Sequence, residues 1–428
     1  MQELIHQGQL TGYKGAVVGT GSSGLAATRL LCALGASVRL LDVKEPSDEV
    51  RSLCTELGVD LQVGPHSAKQ FKDRDIVVLS PGVQLSKLRK YMKTVPDRKI
   101  VSELELASWF TVAPIIAVTG TNGKTTTTRL ISRMLEFSGR KVFTGGNIGT
   151  PLSEYLLSGQ KADALVLEVS SFQLSTCRSF KPQVGLLLNI SENHLDYHAD
   201  MEEYFEAKLS MFRRQTDRDL AIFPLELREA IEKRVDLKAK RVYFVPSQRF
   251  DAPHLPGAHN KANLEAAWLA ARAFGVTEHV AQRAVKDFKP DPNRLEVVAE
   301  KNGLLFVNDS KATTIAAVAA ALQAFDRPIR LLVGGKFKGG DLGALVPLFE
   351  NRVLSVCGFG ASREIFEQAW EGKIPMHWEK TMEPAVARLV SEASKGDVIL
   401  LSPGTSSFDL YKNYEARGED FRRLVEAM

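Results

Sequence analysis

Short apolar runs recur along the chain, each closed by glycine or serine and followed by helical spacing. The first stretch, "GAVVGTGSSGLAATRLLCALGASVRLLDV", reads as strand, glycine turn, amphipathic helix and strand, and "DIVVLSPGV" adds another short strand. Such alternation predicts a parallel sheet covered by helices. The pattern restarts at Ile115 and continues through "ADALVLEVSSFQL" and "VGLLLNISENHLDYH" to "FKPDPNRLE", where two prolines mark a linker. A third block contains "GLLFVNDSKATT", "RLLVGGKFKGGD", "VLSVCGFG" and "DVILLSPGTSSFDLYKNYEARG". Its four apolar strands alternate with helical stretches such as Ile315 to Phe325.

A length of 428 residues agrees with about three domains. Hydrophobic residues make up 44% and charged residues 25%, the balance of a soluble globular protein. The net charge of +4 comes without a Lys/Arg tract, so neither nucleic acid nor a membrane surface is an expected partner. Cys32, Cys54, Cys177 and Cys357 are scattered, which argues against a disulfide framework or zinc site and fits a reducing cytosol. "MQELIHQGQLTGYKG" lacks the apolar core of a signal peptide, and no apolar run reaches the roughly 18 residues of a membrane span. A cytoplasmic monomer is expected.

The strongest chemical signal is "VTGTNGKTTTT" at 118–128. Gly120 and Gly123 can adopt backbone angles closed to other residues, so that successive N–H groups converge on an anion. A helix beginning near Lys124 adds its dipole, with Leu130, Ile131, Met134 and Leu135 as its apolar stripe. Lys124 then serves the outer phosphates and the Thr125 hydroxyl a Mg²⁺ ion. This is a shortened G-x-x-G-K-T loop spanning Gly120, Thr121, Asn122, Gly123, Lys124, Thr125 and Thr126. No guanine-reading Asn-Lys-x-Asp occurs, so ATP is the expected nucleotide. Glu168 ends the apolar run "ALVLE", where a carboxylate can hold Mg²⁺ or simply meet solvent. Gly19-x-Gly21-x-x-Gly24, with Asp42 about 20 residues on, points on its own to NAD and an oxidoreductase. That reading leaves the GKT loop unexplained.

"GNIGT" at 146–150, "EVSSFQL" at 168–174, "NISENHLDYH" at 189–198 and "YFEAKLSMF" at 204–212 follow the GKT loop in order. The series resembles the Mur ligase family, the ATP-dependent amide-forming enzymes of peptidoglycan synthesis, over nearly the whole chain. The resemblance implies an α/β protein of three domains. These are a Rossmann-like UDP-substrate domain at 1–112, a central P-loop ATPase-type domain at 113–293, and a C-terminal Rossmann-like α/β domain at 294–428. It also implies that the γ-phosphate passes to a carboxylate, and that an amino acid's amine attacks the acyl phosphate.

In that scheme Lys124, Glu168, His194 and Lys208 are catalytic. Thr125 and Glu168 would hold one Mg²⁺ and His194 would help hold a second. Lys208 would carry a CO₂-derived carbamate that also ligates metal. Asn147 would contact the acceptor or phosphates. Asn260 and Asn263 of "GAHNKANLEAA" would lie beneath the adenine, and Arg294 would reach ATP from the linker. Asp309 and Lys311 would meet the ribose and γ-phosphate when the third domain closes.

"NDSKAT" and "LSPGTSSFDLYKNYEARG" look like the branch that adds D-glutamate to UDP-N-acetylmuramoyl-L-alanine. By that match Thr313, Lys338, Ser407 and Tyr414 would hold the two D-glutamate carboxylates, with Lys336 the alternative to Lys338. Thr314 and Tyr414 stand where the family more often has Asn and Phe. In the first domain Ser22, Ser23, Asp42, Val43 and Gly82 would bind the uridine nucleotide. Another Mur ligase or a folylpolyglutamate synthase stays open as an alternative within the class.

Overall fold

The computed structural model describes residues 10–192, 194, 197–255, 257–289, 292–325, 327–350 and 352–428. Residues 1–9 of the stretch inspected for a leader, Pro290 and Asp291 of the linker, and Asn193, Leu195 and Asp196 of the histidine motif lie outside them. Two compact units emerge: Met1–Val245 with Glu265–Ala281, and Pro246–Leu264 with Gln282–Met428.

Unit 1 carries two sheets. Strands β1 (Lys14–Val18), β2 (Ser37–Asp42), β3 (Asp60–Val63), β4 (Ile76–Leu79) and β5 (Ile100–Ser102) pair in the order β3-β2-β1-β4-β5, all parallel. Strands β6 (Ile115–Thr119), β7 (Val142–Gly146), β8 (Ala164–Glu168), β9 (Val184–Leu187), β10 (Leu220–Pro224) and β11 (Lys240–Phe244) pair in the order β11-β10-β9-β6-β8-β7, again all parallel. Every residue of β4, β6, β8 and β9 is buried, because helices cover both faces of a parallel sheet and leave no polar side.

Beneath both sheets of this unit runs one apolar core that includes Leu30, Leu31, Leu104, Leu106, Leu152 and Leu165. Each leucine so buried contributes roughly 2 kcal/mol. Two polar contacts cross the same packing surface: the Ser153 amide donates to Glu103 at 2.6 Å, and Arg29 pairs with Glu154 at 2.6 Å. The helix Lys124–Phe137 begins at the expected residue, and Leu130, Ile131, Met134 and Leu135 are fully buried.

In unit 2, strands β12 (Glu296–Lys301), β13 (Leu304–Asn308), β14 (Ile329–Gly334), β15 (Val353–Phe359), β16 (Met376–Glu379) and β17 (Val398–Leu401) pair in the order β12-β13-β17-β14-β15-β16. Only β12 runs antiparallel to its neighbour. The four apolar runs of the sequence are β13, β14, β15 and β17. The edge strands "EVVAEK" and "MHWE" escape an apolar reading because an edge is half solvated and tolerates charge. The helix expected from Ile315 to Phe325 spans Ile315–Leu322, capped by the Thr314 hydroxyl, which accepts from the Ala317 amide at 3.3 Å. Among the described residues no helix is long and apolar enough to cross a membrane, and all four cysteines are free.

Candidate active site

Strand β6 delivers the phosphate loop at the carboxyl edge of its sheet, where open α/β sheets bind ligands. Gly120 and Gly123 have φ of +150° and +80°. A Cβ on Gly120 would stand 3.1 Å from that of Leu188, so both space and backbone require glycine there. Lys124 Nζ donates to the carbonyls of Gly120 at 2.9 Å and Thr121 at 2.8 Å.

A residue missed by sequence reasoning holds the loop open. Asn189 Oδ1 accepts from the amides of Thr121 at 3.1 Å and Asn122 at 2.9 Å, and its Nδ2 donates to the Asn122 carbonyl at 3.1 Å. Its only sequence sign is a carboxamide directly after an apolar strand. The Thr121 hydroxyl adds contacts to Ser191 and, at 3.1 Å, to the Tyr204 hydroxyl.

Glu168 ends β8 almost fully buried. It accepts from the Thr125 hydroxyl at 2.7 Å and from Asn147 Nδ2 at 2.8 Å. A buried carboxylate against a hydroxyl at a helix N-terminus suits Mg²⁺, which takes one or two protein oxygens and the rest from phosphate and water. Among the described residues no three His, Cys, Asp or Glu side chains form a metal cluster of their own.

Lys208, on the helix Met201–Leu209, is 1% exposed. Its Nζ donates to the Gly120 carbonyl at 2.9 Å and to Thr119 Oγ1 at 3.4 Å, and lies 4.5 Å from the Tyr204 ring centre. Burial first, and then Lys124, hold its pKa well below the usual lysine value, against the opposing pull of Glu168. A neutral amine in such a site is a nucleophile for CO₂, so the residue fits the carbamate.

Lys124, Thr125, Asn147, Glu168 and Lys208 are thus linked around one loop, with Gly120 O shared by the two lysines. His194 packs against aromatic rings, 4.6 Å from Phe172 and 6.2 Å from Tyr204 between ring centres, with φ of +59°. His198 is buried beside it, its Nε2 3.0 Å from Ser171 Oγ.

In the first sheet a Cβ on Gly24 would lie 2.0 Å from the Gly19 carbonyl, so the glycine motif serves close helix–strand approach. Ser22 and Ser23 open the helix Ser22–Ala33, Val43 is exposed, and Gly82 has open space beside it. Asp42 is held locally: Thr20 donates to Oδ2 through its amide at 2.8 Å and its hydroxyl at 2.7 Å. Burial pushes its pKa up, but hydrogen bonds from Lys44, Thr20 and Val43 prevail and hold it below the usual value.

In unit 2, Lys311, Lys338 and Ser407 follow the carboxyl ends of β13, β14 and β17. Lys311 Nζ donates to the Tyr414 hydroxyl at 2.8 Å. The Lys336 backbone pairs with Ser406, whereas Lys338 Nζ lies 5.5 Å from the ring of Phe408, the neighbour of Ser407, so Lys338 faces the Ser407 loop. Thr313 is half-buried in the same loop as Lys311. Asn260 and Asn263 are buried in the first turns of Ala258–Ala273, joined by a 3.3 Å contact. Arg294 adds positive potential at Asp309. Arg417, fully buried, was also missed; an arginine in a helical run carries no sign that it points inward.

Asp309 accepts from the Leu295 amide at 3.2 Å and the Ser402 hydroxyl at 3.1 Å, yet burial pushes its pKa up to about 7. The folded carboxyl therefore keeps its proton where the unfolded chain, titrating near pH 4, has lost it. Stability from this group is complete below about pH 4, declines as pH rises to about 7, and is level beyond. Asp309→Asn is expected to remove that decline, worth at most about 4 kcal/mol. Urea unfolding at about pH 5 and about pH 8 checks this; equal pH slopes in both proteins contradict it.

Three family descriptions match the chain: "Mur ligase MurD-like, N-terminal domain" at residues 13–96, "Mur ligase middle domain" at 118–249, and "Mur ligase, glutamate ligase domain" at 293–404. The UDP-N-acetylmuramoylalanine–D-glutamate ligase of Desulfovibrio desulfuricans is 53% identical, covering 97% of this chain and 96% of that protein. The enzyme of the same name from Lawsonia intracellularis is 49% identical, covering 96% and 94%. Among solved structures, the MurF ligase of Thermotoga maritima in complex with ADP matches with a TM-score of 0.60 at 19% identity, covering all of both chains. A pseudomurein peptide ligase type C from Methanothermus fervidus matches with a TM-score of 0.57 at 17% identity, covering 97% and 99%. These two likenesses concern the fold.

Proposed function

Because the chain belongs to the Mur ligase family, we propose that it joins D-glutamate to UDP-N-acetylmuramoyl-L-alanine at the expense of ATP. The observation that carries the reading is the hydrogen-bonded group around the GKT loop, where buried Thr125, Glu168 and Lys208 meet Lys124 and Asn147. We assign residues 1–112 to the uridine nucleotide, 113–293 to ATP, and 294–428 to the amino acid with further ATP contacts.

The acceptor's carboxylate oxygen attacks the γ-phosphorus, and the bond from that phosphorus to the β-bridging oxygen breaks, releasing ADP. D-Glutamate's amine nitrogen then attacks the acyl carbon, loses a proton, and expels inorganic phosphate. Amide N–H groups of the loop and Lys124 hold the phosphate chain and offset the charge that builds as one anion attacks another. Two Mg²⁺ ions supply charge neutralisation when bound, with Thr125 and Glu168 for one and His194 for the other. Lys208, as a carbamate, turns a cation that would repel these ions into an anion that attracts them.

On the acceptor side, Ser22, Ser23, Asp42, Val43 and Gly82 serve the uridine nucleotide, and Asn147 the acceptor or phosphates. Asn260, Asn263, Arg294, Asp309 and Lys311 serve ATP. Lys338, Thr313, Ser407 and Tyr414 serve D-glutamate, whose two carboxylates call for a cation and hydrogen-bond donors. The enzyme is taken to act as a cytoplasmic monomer, without nucleic acid or membrane.

Phosphate release tests this directly. Release is expected with D-glutamate plus UDP-N-acetylmuramoyl-L-alanine, and not with L-lysine, diaminopimelate or a folate acceptor. Steady ATP hydrolysis without any acid acceptor contradicts it.

A further inference from the structure

The first turn of the last helix, Tyr414–Glu426, reaches the Asp309–Lys311 loop at several points. The Tyr414 hydroxyl accepts from Lys311 Nζ at 2.8 Å, and the same ammonium lies 4.4 Å from the ring centre. The Tyr414 carbonyl accepts from Ser310 Oγ at 2.8 Å. Arg417 donates to Ser310 Oγ at 3.0 Å and to the Ser310 carbonyl at 2.8 Å. Its other bonds go to the Gly334 carbonyl at 3.2 Å, Thr405 Oγ1 at 3.3 Å and the Thr405 carbonyl at 3.1 Å.

Arg417 is 0% exposed, and carbonyls and hydroxyls alone accept its hydrogen bonds. Even with the charge of Asp409 nearby, a buried guanidinium is a costly way to fill a core position. Its fork spans the loops that follow β13, β14 and β17, which carry Lys311, Lys338 and Ser407. The side chain end of Lys311 is fixed by Tyr414, and the backbone before it by Arg417.

We propose that Tyr414 and Arg417 are positioning residues for Lys311, and that the Tyr414 hydroxyl acts by holding this ammonium rather than by binding the amino acid. The inference rests on the functional reading, which gives Lys311 to the nucleotide. It assigns the phenol oxygen a task different from the one the family resemblance implies. The role of Tyr414 toward the amino acid then falls to its backbone amide rather than its phenol.

Tyr414→Phe removes one oxygen and keeps the ring beside the ammonium, so it isolates the hydrogen bond. The full chain is titrated calorimetrically with Mg²⁺-adenylyl imidodiphosphate. Tyr414→Phe is expected to weaken binding by about three- to tenfold, the range for a half-exposed bond to a charged group. Made in a Lys311→Met background it is expected to change nothing further, because the partner is gone. The KM for D-glutamate stays within about twofold.

Equal losses in both backgrounds overturn the proposal, as does a raised D-glutamate KM with unchanged nucleotide affinity. Arg417→Lys keeps the charge but loses the fork, and a folded variant is expected to lose nucleotide affinity too; undiminished affinity contradicts its role. Since Arg417→Lys risks the fold, the Tyr414→Phe cycle decides on its own. Nucleotide binding needs no acceptor, so wild-type turnover with D-glutamate reports separately on the functional reading.

Discussion

Lys124→Ala is expected to abolish ligation, with a fall in kcat/KM of at least about a thousandfold. The side chain sits in the first turn of Lys124–Phe137 and donates to the loop carbonyls of Gly120 and Thr121. A cation held this way is poised to exchange weak carbonyl contacts for the outer phosphates, where charge develops during transfer. Removing it leaves that charge without its nearest cation. The fold is expected to survive, because the helix is held by its buried stripe of Leu130, Ile131, Met134 and Leu135, and alanine is the best helix former. Phosphate release and urea unfolding, measured together, check the prediction. Retained turnover contradicts it, and a collapsed unfolding midpoint means the lysine is structural.

Lys208→Ala is expected to be nearly inactive, and to regain part of its activity with millimolar acetate or formate. The amine is buried to 1% exposure, and its pKa lies well below the usual lysine value through burial and the nearby Lys124. As a bare cation it would repel bound metal ions, and the Gly120 carbonyl, Thr119, the Tyr204 ring and the pull of Glu168 do not offset its burial beside Lys124. As a carbamate it becomes a carboxylate on a long stem, and a small carboxylic acid in the cavity left by alanine can stand in for it. Lys208→Met, which fills the volume without the amine, is expected to be inactive and not rescued. Full activity of Lys208→Ala removes the carbamate from the account. Absence of rescue with a folded protein leaves the lysine essential for some other reason and also contradicts it.

Much of this architecture was readable before any coordinates. The GKT helix starts at Lys124 as expected, because two glycines followed by Lys-Thr and an apolar stripe admit few other conformations. Buried parallel strands such as β6 and β8 announced themselves as unbroken apolar runs. Edge strands β12 and β16 did not, since half-solvated strands carry charge and lose their pattern. The pair of Thr125 and Glu168 was legible as types at a helix start and a strand end, and the structure joins them at 2.7 Å.

The roles of Asn189, Thr20 and Arg417 were not legible for a different reason. Each acts by hydrogen bonding to backbone or side chains brought near only by tertiary structure, and one-dimensional spacing holds no trace of that. Asp42, the last residue of β2, is likewise engaged by Thr20 and Lys44, contacts that its spacing from the glycine motif did not announce. His194 stands among aromatic rings, an arrangement that neither periodicity nor motif spacing predicted.

Energy transfer through a mixed anhydride is the central claim, and the fate of one oxygen atom tests it most directly. Acceptor labelled with the heavy oxygen isotope in its carboxylate is incubated with ATP, Mg²⁺ and D-glutamate, and the released phosphate is examined by mass spectrometry. An acyl phosphate requires one carboxylate oxygen to leave with the phosphate, so labelled phosphate is predicted in step with amide formation. Unlabelled phosphate accompanying genuine amide product would contradict it.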